Sequence, residues 1–421
     1  MAEVPVSRTK RPRAAMPASL ALALLAVDDA RASSVVLYGI VDASIVYTRN
    51  GGHSGSPVEL QSGSLSGSRV GIKGVEPLGG GAAALFQLEN GFNAVNGRLN
   101  QGGRLFGRQS HAGLRTPGGH TVVAGRLYDP LTDLVQPLQG DGYLGQTFST
   151  PGDVDNADAS ARLNHALKWS SARLGAWQAS ALVSLGGVPG AMGSGLSHGA
   201  ALAYRNGAFA AAAGYLHVDL GNALHGRRGR SSADSLFNSA VNAAYASAAS
   251  VQIVRVAAQY AIGSLAIGAY YGDARYRPDG ASRFGHTQAF RNASLYGVWQ
   301  ATPTVTAVVA YNQLHASGDS AARYRQVSAG ASMLVSKRTD FYATAAYADA
   351  RGANGLGAAQ AVVGATGGRC GWADAGQAQC GRAASVLSGT AAASSVPSRC
   401  NAFDKHVASN SDPSRRALAG P

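Results

Sequence analysis

The residues best suited to chemistry in this chain are charged, and they fall into two groups of opposite sign. Residues 129–161 carry Asp129, Asp133, Asp141, Asp153, Asp155 and Asp158 and contain no lysine or arginine. Such a stretch is either a solvated acidic surface loop or the acidic side of a site. The basic group is picked out by spacing. Arg69 and Lys73 share parity against Val70 and Ile72, and Arg162 and Lys168 stand likewise against Leu163 and Leu167. Alternate residues of an extended chain face opposite sides, so these four point away from the apolar face. Arg126 shares parity with Val122 and Ala124, and it joins the basic set only through a bulge or from beyond the apolar band. Catalytic spacings are missing. The ten histidines are scattered, with no H-E-x-x-H, no zinc-type His/Cys cluster, no G-x-S-x-G and no phosphate-binding loop. The run Gly79–Gly81 is a turn, because no helix-forming stretch follows it. The reading is of a non-enzyme with no cofactor and no metal.

The elements that must position these charges are strands. In Gln326–Val335, Val327, Ala329, Ala331, Met333 and Val335 fall on one face, and Gln326, Ser328, Gly330 and Ser332 on the other. The same period of two recurs along the chain, and the second face is repeatedly Gly, Ser, Asn, Gln and Arg. Fifteen such segments are predicted: 35–47, 67–75, 82–92, 106–115, 121–128, 162–170, 176–186, 197–205, 208–217, 251–261, 264–274, 291–301, 304–314, 323–335 and 340–349. Short turns such as Pro77–Gly81, Arg205–Gly207 and Ser336–Asp340 alternate with long Gly- and Asp-rich loops such as 48–66, 129–161 and 218–250. Short turns at one end and long loops at the other are the layout of an outer-membrane barrel. Placing the strand charges on a lipid face near the midplane would cost about 2–4 kcal/mol each, which turns them toward the lumen. Tyr271, Trp299, Tyr311, Phe341 and Tyr347 lie near strand ends on the apolar face, where interfacial aromatics belong.

Composition agrees with an all-β transmembrane antiparallel barrel. Only 14% of residues are charged and 55 are glycine, and mean hydropathy is close to zero, as expected when half of each strand faces water. No uncharged apolar run approaches the roughly 20 residues of a spanning helix. Residues 1–32 read as a signal peptide: Arg8, Lys10, Arg11 and Arg13, then apolar Ala14–Val27, then Ala30-Arg31-Ala32 as a small-x-small cleavage site. The net charge of +13 is dispersed, without the basic-aromatic clustering of a nucleic-acid binder. The barrel is assigned to residues 33–366. Residues 367–421 lack alternation and hold all three cysteines, Cys370, Cys380 and Cys400. They read as an aberrant or disordered tail, from a frameshift near residue 366 or as a genuine extension, leaving the sixteenth strand lost or replaced.

Several stretches resemble the trimeric general-diffusion porins of β-proteobacteria. These are Ser33-Ser34-Val35-Val36-Leu37-Tyr38-Gly39-Ile40-Val41-Asp42, Ser64–Gly81, Phe86-Gln87-Leu88-Glu89-Asn90-Gly91-Phe92, Arg104–Gln109, Pro151-Gly152-Asp153-Val154-Asp155-Asn156 and Ser336-Lys337-Arg338-Thr339-Asp340. The resemblance implies 16 strands, a homotrimer in outer-membrane lipid, and a third loop folded into the lumen. It also implies an arginine at the constriction at position 126. Loop 129–161 would then set its acids against the basic wall of Arg69, Lys73, Arg126, Arg162 and Lys168. The resulting transverse field would act on small hydrophilic solutes diffusing passively, with a basic excess favouring anions. A non-conducting structural or adhesive barrel, or a porin inactivated by its altered C-terminus, is the alternative. Family members end on an aromatic residue where this chain has Pro421, a departure that bears on insertion and closure.

Overall fold

The computed structural model describes residues 34–49, 58–221 and 236–366, and the backbone of 372–373 and 377–389. The expected leader lies outside the described residues. The strands are β1 (Ser34–Arg49), β2 (Val58–Ser62), β3 (Arg69–Gly79), β4 (Ala82–Gly91), β5 (Gln109–Arg115), β6 (Thr121–Leu127), β7 (Leu163–Ser170), β8 (Trp177–Ser184) and β9 (Ser197–Asn206). They continue as β10 (Phe209–Asp219), β11 (Ser250–Ile262), β12 (Leu265–Arg277), β13 (Gln288–Thr302), β14 (Val305–Ser317), β15 (Ala322–Ser336), β16 (Thr339–Gly352), β17 (Trp372–Ala373) and β18 (Gln377–Gly389). From β3 to β16 each strand pairs antiparallel with the next, as Ser250↔Arg277 through Ile262↔Leu265 do for β11 and β12. All fifteen predicted strands are present. The short β2 was expected as loop. It pairs with the second half of β1 (Ala43↔Ser62 to Tyr47↔Val58), beyond the point where β1 stops pairing with β3 at Ile40↔Arg69.

The sixteenth position is filled from the tail. β18 pairs with β16 from Thr339↔Gly389 to Arg351↔Gln377, and with β1 from Val41↔Gly389 to Arg49↔Gly381. Residues 377–389 are therefore strand, within the segment read as an aberrant or disordered tail and at the place where the sixteenth strand was expected to be lost or replaced. The physical reason is that unpaired N–H and C=O groups on β1 and β16 are costly where no water reaches them. Backbone pairing asks nothing of side-chain pattern, so a segment without alternation can meet that need. A side-chain contact spans the same seam: Tyr342 Oη on β16 donates to Asp42 Oδ1 on β1 at 2.7 Å. Asp42 also accepts the backbone N–H groups of Leu65 and Ser66 at 2.9 and 2.7 Å.

The two faces differ as the alternation requires. Val35, Leu37, Ile45, Leu295, Val309 and Val327 point outward and are exposed, as are all five of the aromatics singled out above. Such a surface suits a hydrocarbon solvent rather than water. On the inner face Arg255, Asn292, Gln326 and Ser328 are buried, because chain is folded into the barrel against them. The inserted chain comes from residues 129–161, 236–248 and 359–363; most of its apolar side chains share one cluster with wall residues such as Ile253, Tyr270 and Tyr276, and Leu144 and Phe148 join Tyr296 and Val308 in a second. Removing residues 367–421 would expose two strand edges. The truncated chain is expected to lose the heat-modifiable, folded band on semi-native electrophoresis, while the full chain keeps it.

Candidate functional site

The inserted loop is built from short pieces held at their ends. Asp129 caps α1 (Pro130–Leu134) by accepting the N–H groups of Leu131 and Thr132 at 2.8 and 3.1 Å. It also accepts from Asn156 Nδ2 at 2.9 Å, which ties the start of the loop to its end. A turn at Gln136–Leu138 leads to α2 (Asp141–Leu144) and then to tight turns at Gly145–Phe148 and Pro151–Asp153. At Gly145 φ is +73°, and a Cβ would lie 2.4 Å from the carbonyl oxygen of Leu65, so the loop reaches segment 63–68 only through glycine.

Polar inner-face residues of β11–β15 pin the loop's backbone. Tyr296 Oη donates to Leu138 O at 2.8 Å, Gln326 Nε2 to Thr147 O at 2.8 Å, Ser328 Oγ to Thr147 O at 3.0 Å and Tyr276 Oη to Val154 O at 2.6 Å. Arg255 donates to Asn156 O at 2.9 Å and to Gln139 Oε1 at 3.1 Å. Tyr270 Oη donates to Asp155, and at Gly272 beside it a Cβ would stand 2.2 Å from Asp155 Oδ2. The loop thus lies flat on one wall.

Across from it is a cavity of about 590 Å³ lined on one side by Arg69, Arg108 and Arg162 and on the loop side by Asp141 and Asp158. Arg108 is held by Glu89 (Nε to Oε1, 2.7 Å), which also accepts from Tyr38 Oη at 2.8 Å. Arg69 Nε donates to Gly67 O at 2.8 Å. Arg162 donates to Tyr128 Oη and Ser160 O at 2.9 and 3.0 Å, its guanidinium carbon 4.8 Å from the Tyr128 ring centre. Planar guanidinium groups held this way by hydrogen bonds and an aromatic ring have little freedom to collapse onto the acids.

The predicted site residues therefore divide. Arg69, Arg162, Asp141 and Asp158 meet at the cavity. Lys168 is buried and pairs with Asp133, also donating to Tyr128 O at 3.1 Å. Lys73 stands 5.6 Å from the Tyr38 ring centre. Asp129 is a cap. Asp153 accepts the N–H groups of Asp158 and Ser160 within the loop, and Asp155 is held by Tyr270 and Thr150. Arg126 is buried, donating to Gly107 O at 2.7 Å and Asn164 Oδ1 at 2.6 Å.

A single irregularity accounts for one error of parity, while Arg126 stays on the unbulged strand beside it and is buried against Gly107 and Asn164. Gly125 pairs with Ala166 but Leu127 pairs with Leu163, and His165 in the bulge has φ +49°. The extra residue turns Leu163 inward, where it packs with Leu127 and Leu131, although alternation placed it opposite Arg162 on the apolar face. Arg108 and Arg255 were missed. Arg255 has Val251 and Ile253 on its own face and Val254 and Val256 on the other, so both faces look apolar. A signal was nonetheless available: an arginine in the middle of a spanning strand cannot face lipid cheaply.

Two inferences about class follow. Sixteen paired long strands, an apolar exterior and a lumen narrowed by an inserted loop define a transmembrane β-barrel protein. The chain belongs to the Gram-negative porin family, whose model matches residues 14–353, and its place is the outer membrane. It is 41% identical over 97 residues to an outer membrane porin protein of Bordetella pertussis, covering 20% of this chain and 25% of that one. It is 33% identical over 140 residues to the major outer membrane protein P.IB of Neisseria gonorrhoeae, covering 32% and 39%. The matched segments thus span well under half of these relatives. Among solved structures, the anion-selective porin from Comamonas acidovorans aligns with TM-score 0.67 at 20% identity, over 86% of this chain and 100% of that one. OmpT of Vibrio cholerae in its trimer form aligns with TM-score 0.59 at 13% identity, over 85% and 100%. At these identities the likeness is one of fold.

Burial pushes the Asp141 carboxyl up to about 7, with the Gln136 amide and Arg255 opposing that shift. The folded value lies above the ordinary one, so the cost of ionising Asp141 is absent below about pH 4. It grows as pH rises and is complete above about 7. Asp141→Asn is expected to raise thermal stability at pH 8, by at most ~4 kcal/mol, and to leave it unchanged at pH 4, as a melting curve at each pH will read.

Proposed function

We propose that the chain forms a water-filled pore for passive diffusion of small hydrophilic solutes, prefers anions and works as a homotrimer. The observation that carries this reading is the cavity at which Arg69, Arg108 and Arg162 stand opposite Asp141 and Asp158. Opposed charges in a narrow gap orient polar solutes and penalise apolar ones, which would have to displace ordered water. Three arginines stand against two aspartates and against Glu89, which is paired with Arg108; burial pushes both aspartates toward the neutral form, which leaves the gap positive, so anions are concentrated there. The anion selectivity named for the Comamonas porin and the trimeric form of the Vibrio protein support the same reading. Nothing in the mechanism asks for a catalyst: the wall residues orient and exclude, and the solute leaves as it entered.

A second reading, a barrel of low or no conductance, is favoured by one observation. Ala359, Ala361, Val362 and Val363 are buried inside the barrel, and Gly364 accepts from Gly152 N in the inserted loop at 2.8 Å. This packing occupies lumen that a wide pore would leave to water.

Single-channel recording of the refolded chain from Ser33, under a salt gradient in a planar bilayer, separates the two. Stepwise conductance in groups of three with an anion-favouring zero-current potential is expected. Arg69→Gln with Arg108→Gln should move that potential toward cations, and lowering the pH through about 7 should move it toward anions. Absence of steps from well-folded protein would establish the second reading instead.

A further inference from the structure

Two histidines that no short metal-binding spacing contains are brought together on the outer surface of the β9–β10 hairpin. His198 and His217 are direct cross-strand partners, one outward step past the Ala200↔Tyr215 pair. Both share the outward parity of Leu202 and Tyr215; His198 is exposed and His217 half-buried. The short turn at residues 206–208 closes the other end of the hairpin. The pair therefore lies at the long-loop end, past the last outward tyrosine, where water and ions reach the barrel wall.

The geometry is that of a chelating pair. The ring centres are 5.1 Å apart, with planes tilted by 35°. A divalent transition ion sits about 2.1 Å from an imidazole nitrogen and so about 3.2 Å from the ring centre. Two rings sharing one ion at a square or tetrahedral angle then stand about 4.5–5.2 Å apart. A second observation points the same way. His217 Nδ1 is buried and has no hydrogen-bond partner. A ring nitrogen kept from water without a partner is costly, and a metal ion taking its lone pair removes that cost, which ring contact with His198 alone does not. Asp219 lies two residues beyond His217 on the same face, its Oδ1 accepting the N–H groups of Gly221 at 2.6 Å and Gly195 at 3.4 Å. It places a negative charge beside the pair. Arg277 stands two strands away from it, through Asp219↔Ser250↔Arg277. Among the described residues no third His, Cys, Asp or Glu completes a metal group, so water fills the remaining positions. We propose that His198 and His217 form a surface site for a divalent transition cation, chelated by two imidazoles. Cu²⁺ is held more tightly there than Ni²⁺ or Zn²⁺. The site faces away from the lumen and is separate from the pore.

The test uses the full chain refolded in dodecyl maltoside with Cys370, Cys380 and Cys400 alkylated. Cu²⁺ is the probe, and equilibrium titration and electron paramagnetic resonance are the readouts. One tightly held Cu²⁺ per chain is expected, its spectrum split by two imidazole nitrogens. His198→Gln and His217→Gln should each weaken binding by about 100-fold or more, because the chelate becomes a single contact, and should leave splitting from one nitrogen. His286→Gln, at an exposed histidine elsewhere, should change neither readout. Each variant is checked for its heat-modifiable band, and if one fails to fold the spectrum of the unaltered chain decides. A spectrum with one nitrogen or none, affinity undiminished in either variant, or an equal loss in His286→Gln would each overturn the site. Copper binding is read without conductance, so its failure and a failure of the pore are told apart.

Discussion

Hydrocarbon offers no hydrogen bonds, and a chain that crosses it must satisfy each backbone N–H and C=O from within. In this protein that requirement shapes both the regular part of the sheet and its least regular part. Strands β3 to β16 pair in order with short turns at one end, which is the least demanding way to satisfy it. At the seam the requirement outranks side-chain preference. β1 and β16 are joined through β18, taken from a segment whose residues show no membrane pattern. The Asp42–Tyr342 hydrogen bond across the same place adds a contact that does not depend on β18.

Once the backbone is satisfied, the faces divide the work. The outward face needs only apolar residues, and its aromatics mark where hydrocarbon gives way to headgroups. The inward face is free to carry Asn, Gln, Ser, Tyr and Arg, and those groups become the donors that hold the inserted loop by its carbonyl oxygens. The loop has no lysine or arginine of its own, so its acids find partners only on the wall or within the loop. Most do: Asp133 on Lys168, Asp155 on Tyr270, Asp129 and Asp153 within the loop. The two that reach the cavity, Asp141 and Asp158, face three arginines anchored from behind. The charge asymmetry of the gap is thus a product of which acids are consumed in building the loop.

The same economy of charge holds outside. An arginine in the middle of a spanning strand must turn to the lumen, as Arg255 does, whereas arginines near the loop ends of β13, β15 and β16 can face outward, as the exposed Arg291, Arg323 and Arg351 do. Depth in the membrane, rather than residue type, decides which surface a cation serves.

What could be read from the amino-acid order was whatever depends on neighbours in sequence. The fifteen strands, their short turns and the outward place of Tyr271, Trp299, Tyr311, Phe341 and Tyr347 follow from a period of two and from turn residues, both local properties. The inward direction of Arg69 and Lys168 followed too, because alternation and the cost of a charge in lipid agree there. The rest depended on contacts between residues far apart in the chain. A bulge at His165, invisible to alternation, carried Leu163 inward. Arg108 and Arg255 acquired their roles from Glu89 and from the loop backbone. Six aspartates in one loop look equivalent in sequence, and only the folded loop separates caps and ion pairs from the two that border the cavity. Pairing at the seam was hidden for a related reason: backbone hydrogen bonds take any side chains, so the residues of 377–389 hold no mark of the strand that the unpaired edges of β1 and β16 impose on them.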